Sequence, residues 1–374
     1  MKSIALLFFF LSLSTSFAFE YKPNESLTLD PNIKYGNLNN GFQYYIKKNN
    51  TPEEFGYLYL IIDVGSLQEK NDQLGIAHFI EHMAFNGSKN FQPGEIIEFM
   101  QSIGMEFGPE INATTSYEET IYKLKIPTHD PEIIKKSFQI LSDWAFEISF
   151  EEKSLENEKL VIREEWRSRL GLQERIMNEI QLVIFEDSKY INRDPIGDME
   201  QIANFSSEDL KRFYQKWYRP NLMKLFAVGD FEVEEIENLV YQYFDIHENP
   251  TNYVEKKEYF IPNHLESVNI VSDPEQPTSE FYLMMPIEKD EYKKQIDYFN
   301  YYKNSIGYSL FNFLMNDISQ NEGSHFQSAG IFESPLGKNN NYLNLSIQPV
   351  DGQYLKAIEE VKKEYYQILS HGFS

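Results

Sequence analysis

Two histidines and a glutamate lie inside the apolar run Leu74-Gly75-Ile76-Ala77-His78-Phe79-Ile80-Glu81-His82-Met83-Ala84-Phe85-Asn86-Gly87. No other stretch restricts the fold as tightly. At about 100° per residue of α-helix, His78, Glu81 and His82 fall at roughly 0°, 300° and 40°, within one arc of about 100°. Phe79, Ile80, Met83, Ala84 and Phe85 surround them, which marks the helix as buried. Ionisable groups on a buried helix need a partner that offsets their desolvation. A metal is such a partner, because two imidazoles one turn apart reach a single zinc at about 2.0–2.1 Å. Glu81, between them, is placed to hold and deprotonate a water at that metal. The order H-x-x-E-H is the inverzincin one, the reverse of H-E-x-x-H.

Such a site needs a third protein ligand and leaves a fourth position open. The candidate lies in Ser154-Leu155-Glu156-Asn157-Glu158-Lys159-Leu160-Val161-Ile162-Arg163-Glu164-Glu165-Trp166. With Leu155 at 0° on a helix, Ile162 falls near roughly −20° and Trp166 near roughly 20°, forming an apolar stripe. Glu158 and Glu165 lie beside that stripe, near about 300° and 280°, while Glu164 faces away near about 180°. Glu165 is therefore expected as the third ligand, and Glu158, on the same face, as a support that orients His78 or His82. On this stretch alone a solvated charged helix remains the other reading.

A chain of 374 residues has room for two domains of ordinary size. Its 34 basic and 58 acidic side chains give a net charge of −24. That sign repels nucleic acid and anionic membranes, and no basic block interleaved with aromatics argues for a nucleic-acid interface. The chain has no cysteine, which excludes disulfides, Cys-ligated metals, a thiol nucleophile and an N-terminal lipidation site. At the N-terminus, Lys2 precedes the apolar Ile4-Ala5-Leu6-Leu7-Phe8-Phe9-Phe10-Leu11, a run too short to span a bilayer. Ser16-Phe17-Ala18 resembles a small-x-small cleavage site. Residues 1–18 are read as a signal peptide, with an uncleaved anchor as the alternative. Export without lipidation predicts a periplasmic or secreted chain, free of the membrane once cleaved.

Asn40-Gly41 predicts a type I′ hairpin turn ahead of the β-prone Phe42-Gln43-Tyr44-Tyr45-Ile46. Strands are expected at 57–64, 119–127 and 224–228, and helices at 93–103, 131–146, 151–169, 207–217 and 233–244. Strands mix with helices without strict alternation. The predicted fold is thus α+β, a mostly antiparallel sheet flanked by helices. Residues 247–267, with Pro250, Pro262 and several Asn, look like a linker. A second set follows: a strand at 279–285, a helix over about 291–316, a strand at 341–348 and a helix at 354–369. Tyr301, Tyr302, Phe311 and Phe313 are expected in its core; His129, His247, His264, His325 and His371 are expected on the surface. The last helix ends at His371-Gly372-Phe373-Ser374, which predicts an interruption within the second domain.

With His78-x-x-Glu81-His82 and Glu158 with Glu164-Glu165 in hand, the chain resembles the pitrilysin/insulysin family of zinc metallopeptidases, which includes the mitochondrial processing peptidases. In particular it is similar to the long bacterial periplasmic-type zinc proteases of that family. The likeness extends through Asn112-Ala113-x-Thr115, Tyr218-Arg219-Pro220-Asn221 and Val228-Gly229-Asp230. It implies that His78, His82 and Glu165 bind one Zn²⁺, that Glu81 is the general base and that Glu158 supports the site. Asn112 and Ala113 would lie on an edge strand that pairs with an extended substrate backbone. The implied fold has two homologous α+β domains per half, with two halves closing around short or unfolded peptides. On that plan residues 19–246 form the catalytic domain, 247–267 the linker, and 268–374 an incomplete second domain without catalytic residues. Two departures stand out. The interval from His82 to Glu165 exceeds the family's usual one, as an insertion within 128–153 would produce. The late Arg and Tyr of the family's second half lie outside this chain, so a homologous second half or a homodimer is expected to close the cavity. The rival readings are a non-catalytic peptide-binding or scaffold subunit, an inactive fragment needing the second half, and a zinc hydrolase acting on other bonds.

Overall fold

The computed structural model describes residues 21–262, 267–289, 291–338 and 340–373. The expected signal peptide, residues 1–18, lies outside them. In chain order the first unit contains β1 (Ile33–Asn37), β2 (Gln43–Lys48), β3 (Phe55–Ile62), α1 (Ile76–Met83), α2 (Glu95–Ser102), β4 (Ile111–Thr115) and β5 (Thr120–Pro127). It continues with α3 (Pro131–Phe146), α4 (Glu152–Arg169), α5 (Leu172–Ile184), α6 (Met199–Asn204), α7 (Ser207–Trp217), β6 (Met223–Gly229) and α8 (Val233–Phe244). The strands form one sheet in the order β1-β2-β6-β3-β5-β4. Every pairing is antiparallel except β2 with β6.

Alternation decides which face of this sheet is covered. Leu58, Leu60 and Ile62 on β3, Tyr122, Leu124 and Ile126 on β5, and Leu225 and Ala227 on β6 all point into the core. Helix α3 lies over β5, α8 over β2, and α1 over β4 and β5. Each fully buried Leu, Ile or Phe contributes roughly 1.5–3 kcal/mol of hydrophobic stabilisation. Helix α1 sits inside this core: Ile76, Phe79, Ile80 and Met83 are all fully buried.

The β1–β2 hairpin forms where expected, but its turn is not type I′. That turn needs φ > 0 at both central residues, and of Asn40 and Gly41 only Gly41 has it, at 87°. The Gly41 N–H donates to Leu38 O at 2.9 Å, a type I turn followed by a left-handed glycine. Asn40 is held elsewhere: its side-chain amide caps the end of α8, donating to Phe244 O at 2.8 Å and His247 O at 2.7 Å.

The second unit comprises β7 (Phe281–Glu288), α9 (Gln295–Ser319), β8 (Phe326–Leu336), β9 (Asn340–Pro349) and α10 (Tyr354–His371), with a sheet in the order β7-β9-β8. Sequence periodicity does not reveal β8, whose residues Phe326-Gln327-Ser328-Ala329-Gly330 lack a sustained apolar alternation. The core here is Phe311, Met315, Phe326, Ile347, Ala357 and Val361. Of the aromatics expected in it, only Phe311 is buried; Tyr301, Tyr302 and Phe313 are exposed. The reason is helix phase, since Phe313 lies about 200° around α9 from Phe311. Two of the expected surface histidines are half-buried. His247 stacks on Phe146 with centroids 3.9 Å apart, and His325 Nδ1 lies 3.0 Å from Glu360 Oε2. His264 lies outside the described residues.

The stretch between the units does not hang free. Ile261 packs with Leu67, Phe185 and Tyr190 of the first unit. Asp63 at the end of β3 accepts from Lys256 Nζ at 2.8 Å and from Lys338 Nζ, at the β8–β9 turn, at 3.1 Å. No helix among the described residues is long and apolar enough to cross a membrane.

Candidate metal centre

Helix α1 packs against β4, α7 and α4, so its polar face opens toward α4. There the structure brings His78, His82 and Glu165 together. The two Nε2 atoms are 3.2 Å apart. Glu165 Oε2 lies 3.3 Å from His82 Nε2 and 3.6 Å from His78 Nε2. A tetrahedral site with bonds of about 2.0–2.1 Å has ligand–ligand edges of about 3.3–3.4 Å. The three donors thus already stand at the separations that one zinc ion requires, and the N₂O donor set suits it. Among the described residues this is the group of side chains able to hold a metal. Glu164, the neighbour, is exposed and pairs with Arg167 at 2.9 Å.

Glu158 lies behind His82, with its Oε1 2.7 Å from His82 Nδ1. An ionised carboxylate only accepts, so Nδ1 carries a proton, and Nε2 is the nitrogen through which His82 would bind a metal. Asn86 Nδ2 donates to the second oxygen of Glu158 at 2.7 Å, fixing it in turn. Arg169, one turn along α4, donates to Glu165 Oε1 at 2.5 Å and leaves Oε2 for the site.

Glu81 is almost fully buried, and its Oε2 accepts from Thr115 Oγ1 at 3.1 Å. Thr115 closes β4, the outermost strand, on which Asn112 and Ala113 also lie. Asn112 Oδ1 accepts the Ala113 N–H at 2.9 Å, so that N–H points away from β5, toward the open edge. Sequence reading did not assign a role to Thr115, although it belongs to the Asn112-Ala113-x-Thr115 segment. Nor did it foresee the role of Asn86, which follows the helix in the apolar run.

The electrostatics of the centre follow from burial and crowding. Burial, with help from His82, holds His78 down at about 3, in its neutral form. For His82 burial opposes the charge most strongly, yet the bonds to Glu158 and Glu165 outweigh it and raise the group to about 10. The bond to His82 lowers Glu165 to about 2 despite its partial burial. Burial raises Glu81 to about 7, against the pull of His82 and Thr115. A base poised near neutrality suits proton transfer. Three carboxylates around two imidazoles leave an excess of negative charge, which a divalent cation would neutralise.

His78, Glu81, His82, Glu158 and Glu165 lie within a span that a family model matches. That model, described as Insulinase (Peptidase family M16), matches residues 44–178, and one described as Peptidase M16 inactive domain matches residues 204–374. A relative named "Probable zinc protease PqqL" in Haemophilus influenzae is 34% identical across 100% of this chain, and one of the same name in Escherichia coli is 30% identical across 93%. The chain spans only 40% and 38% of the length of those two relatives. The crystal structure of the first half of the periplasmic protease PqqL from Escherichia coli superposes with a TM-score of 0.85 at 29% identity, over 94% of this chain and 75% of that one.

Proposed function

The chain belongs to peptidase family M16, the insulinase family, and on that footing we propose that it is a zinc-dependent endopeptidase acting on short or unfolded peptides. The observation that carries this reading is the triangle of His78 Nε2, His82 Nε2 and Glu165 Oε2, with edges of 3.2, 3.3 and 3.6 Å. These three residues would hold one Zn²⁺. When bound, zinc acts as a Lewis acid that makes an attacking water acidic near neutral pH and polarises the scissile carbonyl.

The protein's own groups do the rest. Glu81, with one oxygen held by Thr115, takes the proton of the attacking water on the other and passes it to the leaving amine. Glu158 keeps the Nδ1 proton of His82 in place, so His82 remains a ligand through Nε2. The open edge of β4 at Asn112 and Ala113 pairs with the backbone of an extended substrate, which selects unfolded segments over folded ones. Residues 19–246 make up the catalytic domain in this reading, residues 247–267 the linker, and residues 268–374 a second domain without catalytic residues. The N-terminal apolar run and the periplasmic relative in Escherichia coli support a periplasmic or secreted location.

A second reading is favoured by the share of the relatives' length that this chain spans. In it the centre binds zinc and peptide but cuts only when a homologous half, or a second copy, closes over the substrate. One experiment separates the two. Residues 19–374, loaded with zinc, are incubated with an unstructured peptide mixture, with Glu81→Gln as control. Chelator-sensitive cleavage that the variant lacks supports the first reading. Binding of peptide without cleavage favours the second, and a wild-type chain that takes up no zinc rules out both.

A further inference from the structure

Glu158 aims His82, but His78 has no equivalent support. Its Nδ1 is buried and bonded to nothing among the described residues. A ligating histidine normally has its second nitrogen held, so the orientation of His78 depends on the backbone that carries it. That backbone is the first turn of α1, which begins at Gly75 with φ +93° and no side-chain cap of its own. The first N–H groups of a helix have no acceptor within the helix. Here a residue from the preceding loop meets two of them. Glu69 Oε2 accepts the Gly75 N–H and Glu69 Oε1 accepts the Ala77 N–H, each at 3.0 Å.

Glu69 is only 2% exposed, an expensive place for a carboxylate. Burial pushes the carboxyl up to about 8, while the Ala77 and Gly75 amides, and then Arg193 and Lys189, pull it back down. The positive end of the helix favours the ionised form, whose two oxygens accept those amides. Lys189 Nζ also donates to the Glu69 carbonyl at 3.1 Å. The loop carrying Arg193 is pressed against the same turn: a Cβ on Gly75 would lie 2.9 Å from Gly197 Cα. The Arg193 carbonyl accepts from Ser66 Oγ at 2.5 Å. Glu69 therefore sits where the loop before α1, the first turn of α1 and the loop after α5 meet.

We infer that Glu69 is a positioning residue of the metal centre: its carboxylate, clamped across the amides of Gly75 and Ala77, fixes the first turn of α1 so that His78 presents Nε2 to the metal without a partner of its own. This inference rests on the reading of His78 as a zinc ligand. A carboxylate serving only as a helix cap would stabilise the fold and leave the zinc affinity of the folded protein unchanged. A positioning carboxylate changes that affinity.

The test is Glu69→Gln, which keeps the side-chain length but turns one oxygen into a donor facing an N–H. Zinc dissociation constants come from chelator competition, the ligand geometry from the visible spectrum of the cobalt(II) form, and the state of the helix start from amide exchange. The expected result is a dissociation constant about 10–100-fold higher, as for other groups that support metal ligands, with an altered cobalt spectrum and faster exchange at Gly75 and Ala77. Unchanged zinc affinity in a folded Glu69→Gln protein overturns the inference, whatever happens to its melting temperature. If the variant does not fold, wild-type amide exchange decides. Gly75 and Ala77 amides as slow as those of β3 and β5 uphold the clamp, and fast ones refute it. A wild-type chain that binds no zinc defeats the proposed function itself, an outcome distinct from equal binding by both proteins.

Discussion

The segment from β3 to α3 and the segment from β7 to α10 run through the same plan: a strand, helix, a hairpin of two strands, then a helix. Their sheets even share an order, β3-β5-β4 in one and β7-β9-β8 in the other. Yet their central helices live in different surroundings. Helix α1 is covered by β4, β5, α4 and α7, and nearly every residue in it is buried. Helix α9 is long, but its buried residues are Phe311 and Met315, and Tyr298, Phe299, Tyr302 and Ile306 face outward. The strands differ likewise. Both edges of β3 are paired, with β5 and β6, whereas β7 pairs with β9 alone among the described residues. The lesson is electrostatic. A cluster of imidazoles and carboxylates becomes strongly perturbed where burial and close charged partners act together, and one repeat of the plan brings the two together.

The contrast can be broken or sharpened by experiment. The largest effect belongs to the site itself. Glu165→Ala should lose stoichiometric zinc by metal analysis while Glu164→Ala keeps it, because only Glu165 reaches the histidines; equal loss in both would undo the placement of α4. Glu81→Gln should retain zinc and lower turnover by about 10²–10⁴-fold, the usual contribution of a general base; steady-state kinetics on the zinc-loaded protein measures this.

The two cores can be compared directly. Phe79→Ala in the first core and Phe326→Ala in the second each remove a fully buried ring and should cost about 3–5 kcal/mol. Calorimetry should show Phe79→Ala depressing the transition that zinc raises, with Phe326→Ala depressing another. A single shared transition would mean the two units unfold as one. Thr115→Val removes the hydroxyl held to Glu81. A hydrogen bond to a charged group contributes about 1.5–3 kcal/mol, so turnover should fall by roughly 10-fold or more with zinc content intact, and Thr115→Ser should restore most of it.

The smallest effect lies where the two units touch. Burial tends to raise the Asp63 carboxyl, but Lys256 and Lys338 outweigh it and hold it below its ordinary value of 3.8. A carboxylate depressed in the folded state stabilises above its unfolded pKa, and that stabilisation is lost as pH falls through the folded one. Asp63→Asn should therefore cost up to about 1 kcal/mol at neutral pH, given its partial exposure. In urea melts at successive pH values the difference from wild type should shrink below pH 3.8.

Most elements of the first unit were legible because their periodicities are clean. The alternation of β3 and β5 and the 3.6-residue repeat of α3 and α7 leave little ambiguity. Where side chains are drawn into distant contacts the reading fails. Asn40 gave a type I′ signal, but its amide is committed to α8, and the backbone turned differently. Helix α9 is rich in aromatics, which by composition suggest a core, yet phase leaves Tyr301, Tyr302 and Phe313 exposed. Strand β8 carries too weak a pattern to be seen at all.

By itself the sequence determined what local geometry determines: that His78, Glu81 and His82 share one face of a short buried helix, and that Glu158 and Glu165 share a face of another while Glu164 does not. Those relations follow from about 3.6 residues per turn and need no knowledge of the rest of the chain. The tertiary structure alone decided which of the two histidines Glu158 would hold, that Thr115 would reach Glu81 across from β4, and that Glu69 would cap the helix from the preceding loop. It also decided that β6, far along the chain, would lie between β2 and β3. Contacts of that kind depend on how elements pack in space. No period in the sequence encodes them, because their energy is realised only once the partners have been brought together.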